Sequence, residues 1–155
     1  GAAHVTNLDG SEDALAACEA HLELNGLDPA AASQIRGDAF RVLREMADGG
    51  ETFDAVILDP PKFADSRARV EGALRGYKDI NLLGLRLLRP GGLLATFSCS
   101  GLVDNERFRR AVARAAMDIG RDVQVLMDLA QAADHPVPLA FPEGSYLKGF
   151  LAQVP

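Results

Sequence analysis

The chain has 155 residues, 48% hydrophobic and 25% charged, enough for one soluble globular domain with a real core. A net charge of −6 and a pI near 5.0 exclude a domain that grips nucleic acid by bulk positive charge, so an RNA partner needs a local basic patch or another domain. No apolar stretch nears the roughly 20 residues that span a bilayer, and the opening GAAHVTNLDG lacks the features of a signal peptide, so no membrane partner is expected. Two distant cysteines and three scattered histidines make neither a disulfide framework nor a metal-ligand pattern, so the reading is no metal and a reducing, cytoplasmic setting.

His4 to Leu8 reads as a short strand that stops at Asp9. Ser11 is a candidate N-cap, and Glu12 and Asp13 suit the positive end of a following helix. Leu15, Cys18 and Leu22 recur at i, i+3 and i+7, which gives that helix one apolar face and makes Cys18 a small buried hydrophobe; His21 falls on its surface. Asn25-Gly26 ends it, with Gly26 suited to a left-handed cap. Ser33 to Gly37 is the next strand, closing at Asp38, and Phe40, Leu43 and Ala47 mark a second helix that Gly49-Gly50 stops.

Phe53 to Ala64 reads FDAVILDPPKFA. The β-branched run fits a buried strand of a parallel sheet, cut off at Asp59. Pro60 and Pro61 lock their φ angles and remove backbone donors, so the chain leaves the strand as a stiff loop that holds Asp59 at the carboxyl end. Asp59 either caps this turn or serves chemistry at the edge where open α/β sheets hold ligands.

Asp65 to Tyr77 is polar, basic and glycine-containing, and reads as a mobile loop or short helix over the site. Arg67, Arg69 and Arg75, flanked by Lys62 and Lys78, form the densest positive cluster; it is either a solvated loop or a substrate contact. Asp79 to Arg89 follows as a deeply buried helix, with Arg86 and Arg89 at its negative end and Pro90-Gly91-Gly92 terminating it. Leu93 to Ser98 is a buried strand leading into Cys99-Ser100-Gly101. Asn105 to Ile119 is a helix, Val123 to Leu129 a strand, and Gln131 to Phe141 a proline-rich connection. The last strand, Ser145 to Val154, follows without a helical crossover, which predicts that it runs antiparallel. Strand and helix alternate throughout, so the expected fold is α/β, a doubly wound sheet.

Four strand ends carry a polar or reactive residue: Asp9, Asp38, Asp59 and Cys99. In one parallel sheet these ends would share an edge. The carboxylates suit ribose hydroxyls and an adenine amino group; the alternative is that they only cap turns. Cys99 is likewise either a small residue at a tight strand end or a nucleophile.

The segments VTNLDGSEDAL, ELNGL, GDAF, FDAVILDPPKFA, GYKDINLLGLRLLRPGGLLATFSCSG, DHPV and FPEGSYLKGF together resemble class I S-adenosylmethionine-dependent methyltransferases. Within that class they resemble the large-subunit ribosomal-RNA cytosine-C5 methyltransferases. The resemblance implies a Rossmann-like fold, S-adenosyl-L-methionine as cofactor and ribosomal RNA as substrate. It implies that Asp9, with Ser11 beside it, binds the cofactor ribose and that Asp38 and Ala39 contact the adenine. Asp59 and Pro60 would line the pocket where methyl group and base meet, Asp59 sharing the catalysis with Cys99 as nucleophile. Pro61, Lys62, Phe63 and Lys78 would contact substrate, and Asn25 would support the site. A thiolate is the form of cysteine such chemistry needs, and the target base must leave its stack to reach it.

Some RNA cytosine methyltransferases carry a second cysteine where this chain has Pro61, so a one-cysteine mechanism is implied. Relatives with the Asp-Pro-Pro motif but no cysteine at the Cys99 position methylate other atoms such as guanine N7, so Cys99 carries the C5 assignment. The alternatives are such a methyltransferase and a non-catalytic nucleotide-binding or interaction module. The family's first strand, its glycine-rich loop and an RNA-binding domain have no counterpart here, so the chain is expected to be a truncated catalytic domain, residues 1–155, inactive and binding cofactor weakly by itself. The missing strand would lie between those ending at Asp9 and Asp59. Their bare edges are expected to close on one another, to pair in a homodimer, or to leave the chain unstable.

Overall fold

The computed structural model describes all 155 residues. They form two compact units, Gly1–Glu45 and Met46–Pro155.

In the first unit, β1 (Val5–Asp9) and β2 (Ala32–Arg36) pair in parallel, with Asp9 opposite Arg36. Helix α1 (Glu12–Leu24) connects them. Ser11 caps it as expected, its hydroxyl accepting from the Ala14 N–H at 3.2 Å. It ends at Asn25, and Gly26 takes a left-handed φ of 64°. Leu15 is the one fully buried residue of α1; Cys18 is half-buried, less enclosed than the periodicity predicts. Helix α2 (Ala39–Asp48) begins in this unit and buries Val42, Leu43 and Met46.

The second unit holds a four-stranded mixed sheet in the order β3-β4-β6-β5. Strand β3 (Phe53–Leu58) runs parallel to β4 (Leu88–Ser98). Strand β6 (Lys148–Gln153) runs antiparallel to β4 and to β5 (Gln124–Leu129), as the proline-rich approach predicts. Strand β1 pairs with β2 alone and β3 with β4 alone. Strand β3 is not buried along its length as the sequence suggests. It lies at the sheet's edge, with Val56 and Leu58 turned to a helix and Ile57 74% exposed.

Helices α3 (Val70–Arg86) and α4 (Asn105–Asp118) pack against each other. Val70, Ala73, Tyr77 and Ile80 are buried along α3, so the segment read as a mobile loop or short helix is mostly the first two turns of a longer helix. Glycine hid this. Gly76 and Gly84 do not break α3 but let it come close to its neighbours: a Cβ on Gly76 would stand 3.1 Å from the Phe63 ring, and one on Gly84 2.9 Å from Leu58. Lys78 ties α3 to Asp118 of α4 at 2.5 Å. A run of rings fills the core: Phe63 to Tyr77 at 4.7 Å, Tyr77 edge-on to Phe108 at 5.2 Å, and Phe108 to Phe150 at 5.7 Å.

Pro90-Gly91-Gly92 also depart from the expected helix end. These residues end no helix; α3 stops at Arg86 and β4 begins at Leu88. The Gly91 N–H donates to Val154 O at 2.7 Å and the Val154 N–H to Gly92 O at 3.0 Å, so the turn-like residues sit inside a paired strand, with Gly91 at a φ of 81°. Arg89 accordingly pairs with Asp54 rather than with a helix end.

Candidate active site

In the first unit, Asp9 and Asp38 stand at the carboxyl ends of neighbouring parallel strands. The main chain links those ends, Gly37 N–H donating to Asp9 O at 3.0 Å. Each carboxylate spends one oxygen on its own turn: Asp9 Oδ1 accepts from the Ser11 N–H at 2.7 Å and Asp38 Oδ1 from the Arg41 N–H at 2.9 Å. Both residues are exposed and each keeps a second oxygen free. Capping and ligand binding are therefore compatible, because a carboxylate has several lone-pair sites. Ala39 is the first residue of α2 and half-buried.

In the second unit, Asp59 and Cys99 lie just past the ends of the adjacent parallel strands β3 and β4. Asp59 is exposed, Pro60 is buried beneath it, and Cys99 Sγ lies 4.0 Å from Pro60 O. A cavity of about 440 Å³ opens there, lined by Asp59, Pro60, Pro61 and Cys99 on the sheet side. Gln131, Ala132, His135, Tyr146 and Leu147, all from the connection between β5 and β6, form its other wall. This wall escaped assignment from the sequence. His135 and Tyr146 lie in DHPV and FPEGSYLKGF, so the signal was present, but nothing local ties a proline-rich connection to a strand end far upstream.

Of the residues expected to contact substrate, only Pro61 reaches this cavity. Lys62 is exposed on the loop, Phe63 packs on Tyr77 and Gly76, and Lys78 is held by Asp118.

Beneath Cys99 the strand exit is held by polar contacts. Ser98 and Ser100 are fully buried. The Ser100 hydroxyl donates to Ala64 O at 3.2 Å, which ties the β4 exit to the loop after β3. Lys148 Nζ donates to Ser100 O at 2.7 Å and to Ser98 O at 3.4 Å. Burial lowers the Lys148 pKa below its ordinary value, while Cys99 and the Asp104 carboxylate favour the charged ammonium. Tyr77 is the opposite case: burial raises its pKa, the Ser98 side chain works against this, and Cys99 and Asp59 add to the rise. The Tyr77 hydroxyl is near Ser98 without a well-formed hydrogen bond.

No protein-family model matches the chain. It is 53% identical over 153 residues to ribosomal RNA large subunit methyltransferase I of Aeromonas salmonicida, covering 99% of this chain and 39% of that protein. It is 51% identical over 154 residues to the protein of the same name from Cronobacter sakazakii, again covering 99% and 39%. The chain thus spans well under half the length of these relatives. Among solved structures it matches a methyltransferase complexed with SAH at a TM-score of 0.83 and 25% identity, over 99% of this chain and 40% of that one. A SAM-dependent methyltransferase from Streptococcus mutans matches at a TM-score of 0.82 and 24% identity, over 99% and 39%. Across the 99% of it that aligns, the chain is similar to these large-subunit ribosomal RNA methyltransferases, and its fold is that of the class I S-adenosylmethionine-dependent methyltransferases.

Proposed function

We propose that this chain is part of a cytoplasmic, S-adenosylmethionine-dependent methyltransferase of large-subunit ribosomal RNA, and that its target is carbon 5 of a cytosine. The observation that carries the reading is Cys99 in the wall of a cavity it shares with Asp59 and Pro60. The relatives' names support the ribosomal RNA. Both cysteines are free thiols, which suits a reducing compartment.

The free oxygens of Asp9 and Asp38 fit the cofactor, since both are acceptors and the ribose and adenine offer donors. Ser11 caps the helix that follows Asp9, and Ala39 stands beside Asp38 at the start of α2, where the adenine would lie. Bound S-adenosylmethionine supplies a methyl carbon made electrophilic by a sulfonium sulfur. The protein's task is to make carbon 5 nucleophilic. The Cys99 thiolate bonds to carbon 6, and the electron pair of the 5,6 double bond shifts to carbon 5. A proton from solvent settles the charge that spreads to the ring nitrogen, the Asp59 carboxylate accepts a hydrogen bond from the resulting N–H, and that proton leaves again when the ring is restored. After methylation a base removes the carbon 5 proton, the double bond re-forms, and the thiolate is expelled. Pro61 stands where a second cysteine would assist, so Cys99 acts alone.

The chain is acidic, yet Lys62, Arg67 and Arg75 around the β3–α3 loop form no ion pair, while Arg69 pairs with Asp65 at 3.3 Å. These three cations are the local basic patch available to RNA phosphates.

RNA containing 5-fluorocytosine tests the target atom, because fluorine blocks the final proton loss. The protein should form an adduct that survives denaturation, and Cys99→Ala should form none. Turnover with no adduct, or with the methyl group on guanine N7, would reject carbon 5.

A further inference from the structure

Lys148 is a half-buried lysine at the start of β6, opposite Ser98 in the ladder. Its Nζ reaches two main-chain oxygens, Ser98 O at 3.4 Å and Ser100 O at 2.7 Å, which belong to the residues on either side of Cys99. It makes no ion pair with a carboxylate. A lysine held by two neutral carbonyls keeps its positive charge available to a third group.

We propose that Lys148 is a positioning residue for Cys99: its ammonium clamps the main chain on both sides of the cysteine through charge-assisted hydrogen bonds, so that the sulfur is aimed.

The other groups facing Cys99 make this cation matter. Asp59 comes from the β3 exit, Tyr77 from α3, and His135 and Tyr146 from the β5–β6 connection, with Asp104 at the N-cap of α4 beyond Lys148. Asp59 and Asp104 are carboxylates that oppose a thiolate. Lys148 is the one lysine or arginine among these groups. Cys99 lies close enough to favour the Lys148 ammonium against the burial that opposes it. Ionisation of the thiol sends its proton to solvent, and the sulfur keeps the electron pair that later bonds to carbon 6.

This inference deepens the methyltransferase reading and rests on it for its purpose, but its test needs neither RNA nor cofactor. Cys99 is alkylated with iodoacetamide across pH and followed on its own peptide by mass spectrometry, with Cys18 of the same chain as internal reference. Lys148→Met should slow Cys99 alkylation at neutral pH by about tenfold. Lys148→Arg should retain most of the wild-type rate. Lys148→Gln, which can still donate to a carbonyl but has no charge, should behave like Lys148→Met and decides the matter if the Met variant fails to fold. A Cys99 profile unchanged in the Gln variant, or alkylation faster at every pH, would overturn the proposal. Normal alkylation effects without any methylated RNA would instead count against the proposed function and leave the role of Lys148 standing.

Discussion

Cys99 Sγ and Pro60 O lie 4.0 Å apart, so the exits of two adjacent parallel strands meet at one point. Pro60 is buried and Asp59, the residue before it, is exposed, which presents the carboxylate to the cavity from a rigid support. Asp59→Asn keeps the shape and removes the charge. We expect single-turnover methylation of RNA to fall by about 10²-fold with little change in RNA affinity. Unaltered turnover would remove Asp59 from the catalytic group.

Asp38 caps α2, and substitution can separate that role from the cofactor contact we propose for it. Asp38→Ala loses both the cap on α2 and the free oxygen, at a cost of about 1 kcal/mol in stability. Asp38→Ser restores a cap acceptor without the carboxylate. Chemical denaturation should find the Ser variant near wild type and the Ala variant weakened. Cofactor titration of the longer protein should find both impaired. Full binding by the Ser variant would reduce Asp38 to a cap.

Gly149 sets how closely β6 approaches β4. A Cβ there would stand 2.7 Å from Thr96 O and 2.4 Å from the Phe97 ring. Thr96 O is main chain and cannot swing away, so Gly149→Ala should cost about 3 kcal/mol in urea unfolding. Because Lys148 is the adjacent residue, the same variant should alter Cys99 alkylation. A stability loss below about 0.5 kcal/mol would show that the strands can move apart freely.

Tyr77 couples stability to alkaline pH. Its pKa is raised in the folded protein, first by burial, then by Cys99 and Asp59 against the opposing Ser98. The unfolded chain therefore loses the phenolic proton first. The stabilising contribution is complete below the ordinary tyrosine pKa of about 10 and falls away as pH rises through the folded-state value. Tyr77→Phe should flatten this alkaline decline. At neutral pH it should change stability by no more than about 1 kcal/mol, since the hydroxyl it removes lacks a well-formed hydrogen bond. Melting curves from pH 7 upward check both statements.

The unpaired edge of β3 carries Ile57, 74% exposed, and β1 also has a free edge. Bare edges template strand pairing, so we propose that copies of this chain associate through them. Sedimentation velocity should find dimers or larger species at high concentration, and Ile57→Lys should reduce them. A strictly monomeric chain at all concentrations would end this proposal.

Much of the two candidate sites, one in each unit, was legible because their residues punctuate strands. Asp9, Asp38, Asp59 and Cys99 all follow apolar runs, and a run that stops at a polar residue locates a strand end by local pattern alone. The order of elements and the antiparallel last strand followed from the same pattern and from the proline-rich approach to β6. Where local rules misled, the cause was glycine. Gly76 in α3 and Pro90-Gly91-Gly92 in β4 look like breaks, yet they serve close packing and strand pairing, whose gain exceeds the local preference against them.

What only tertiary structure decided is which distant segments meet. Nothing near Phe63 or Lys78 in sequence reveals that the first is taken up by the Tyr77 ring and the second by Asp118. Nothing near Lys148 reveals that its ammonium reaches the main chain on both sides of Cys99. Sequence alone determined the alternating elements and the chemical groups at their ends, because those depend on neighbours along the chain. The packing of α3 and the pairing of β6 with β4 decided which of those groups share the Cys99 cavity, because such contacts join residues that only folding brings together.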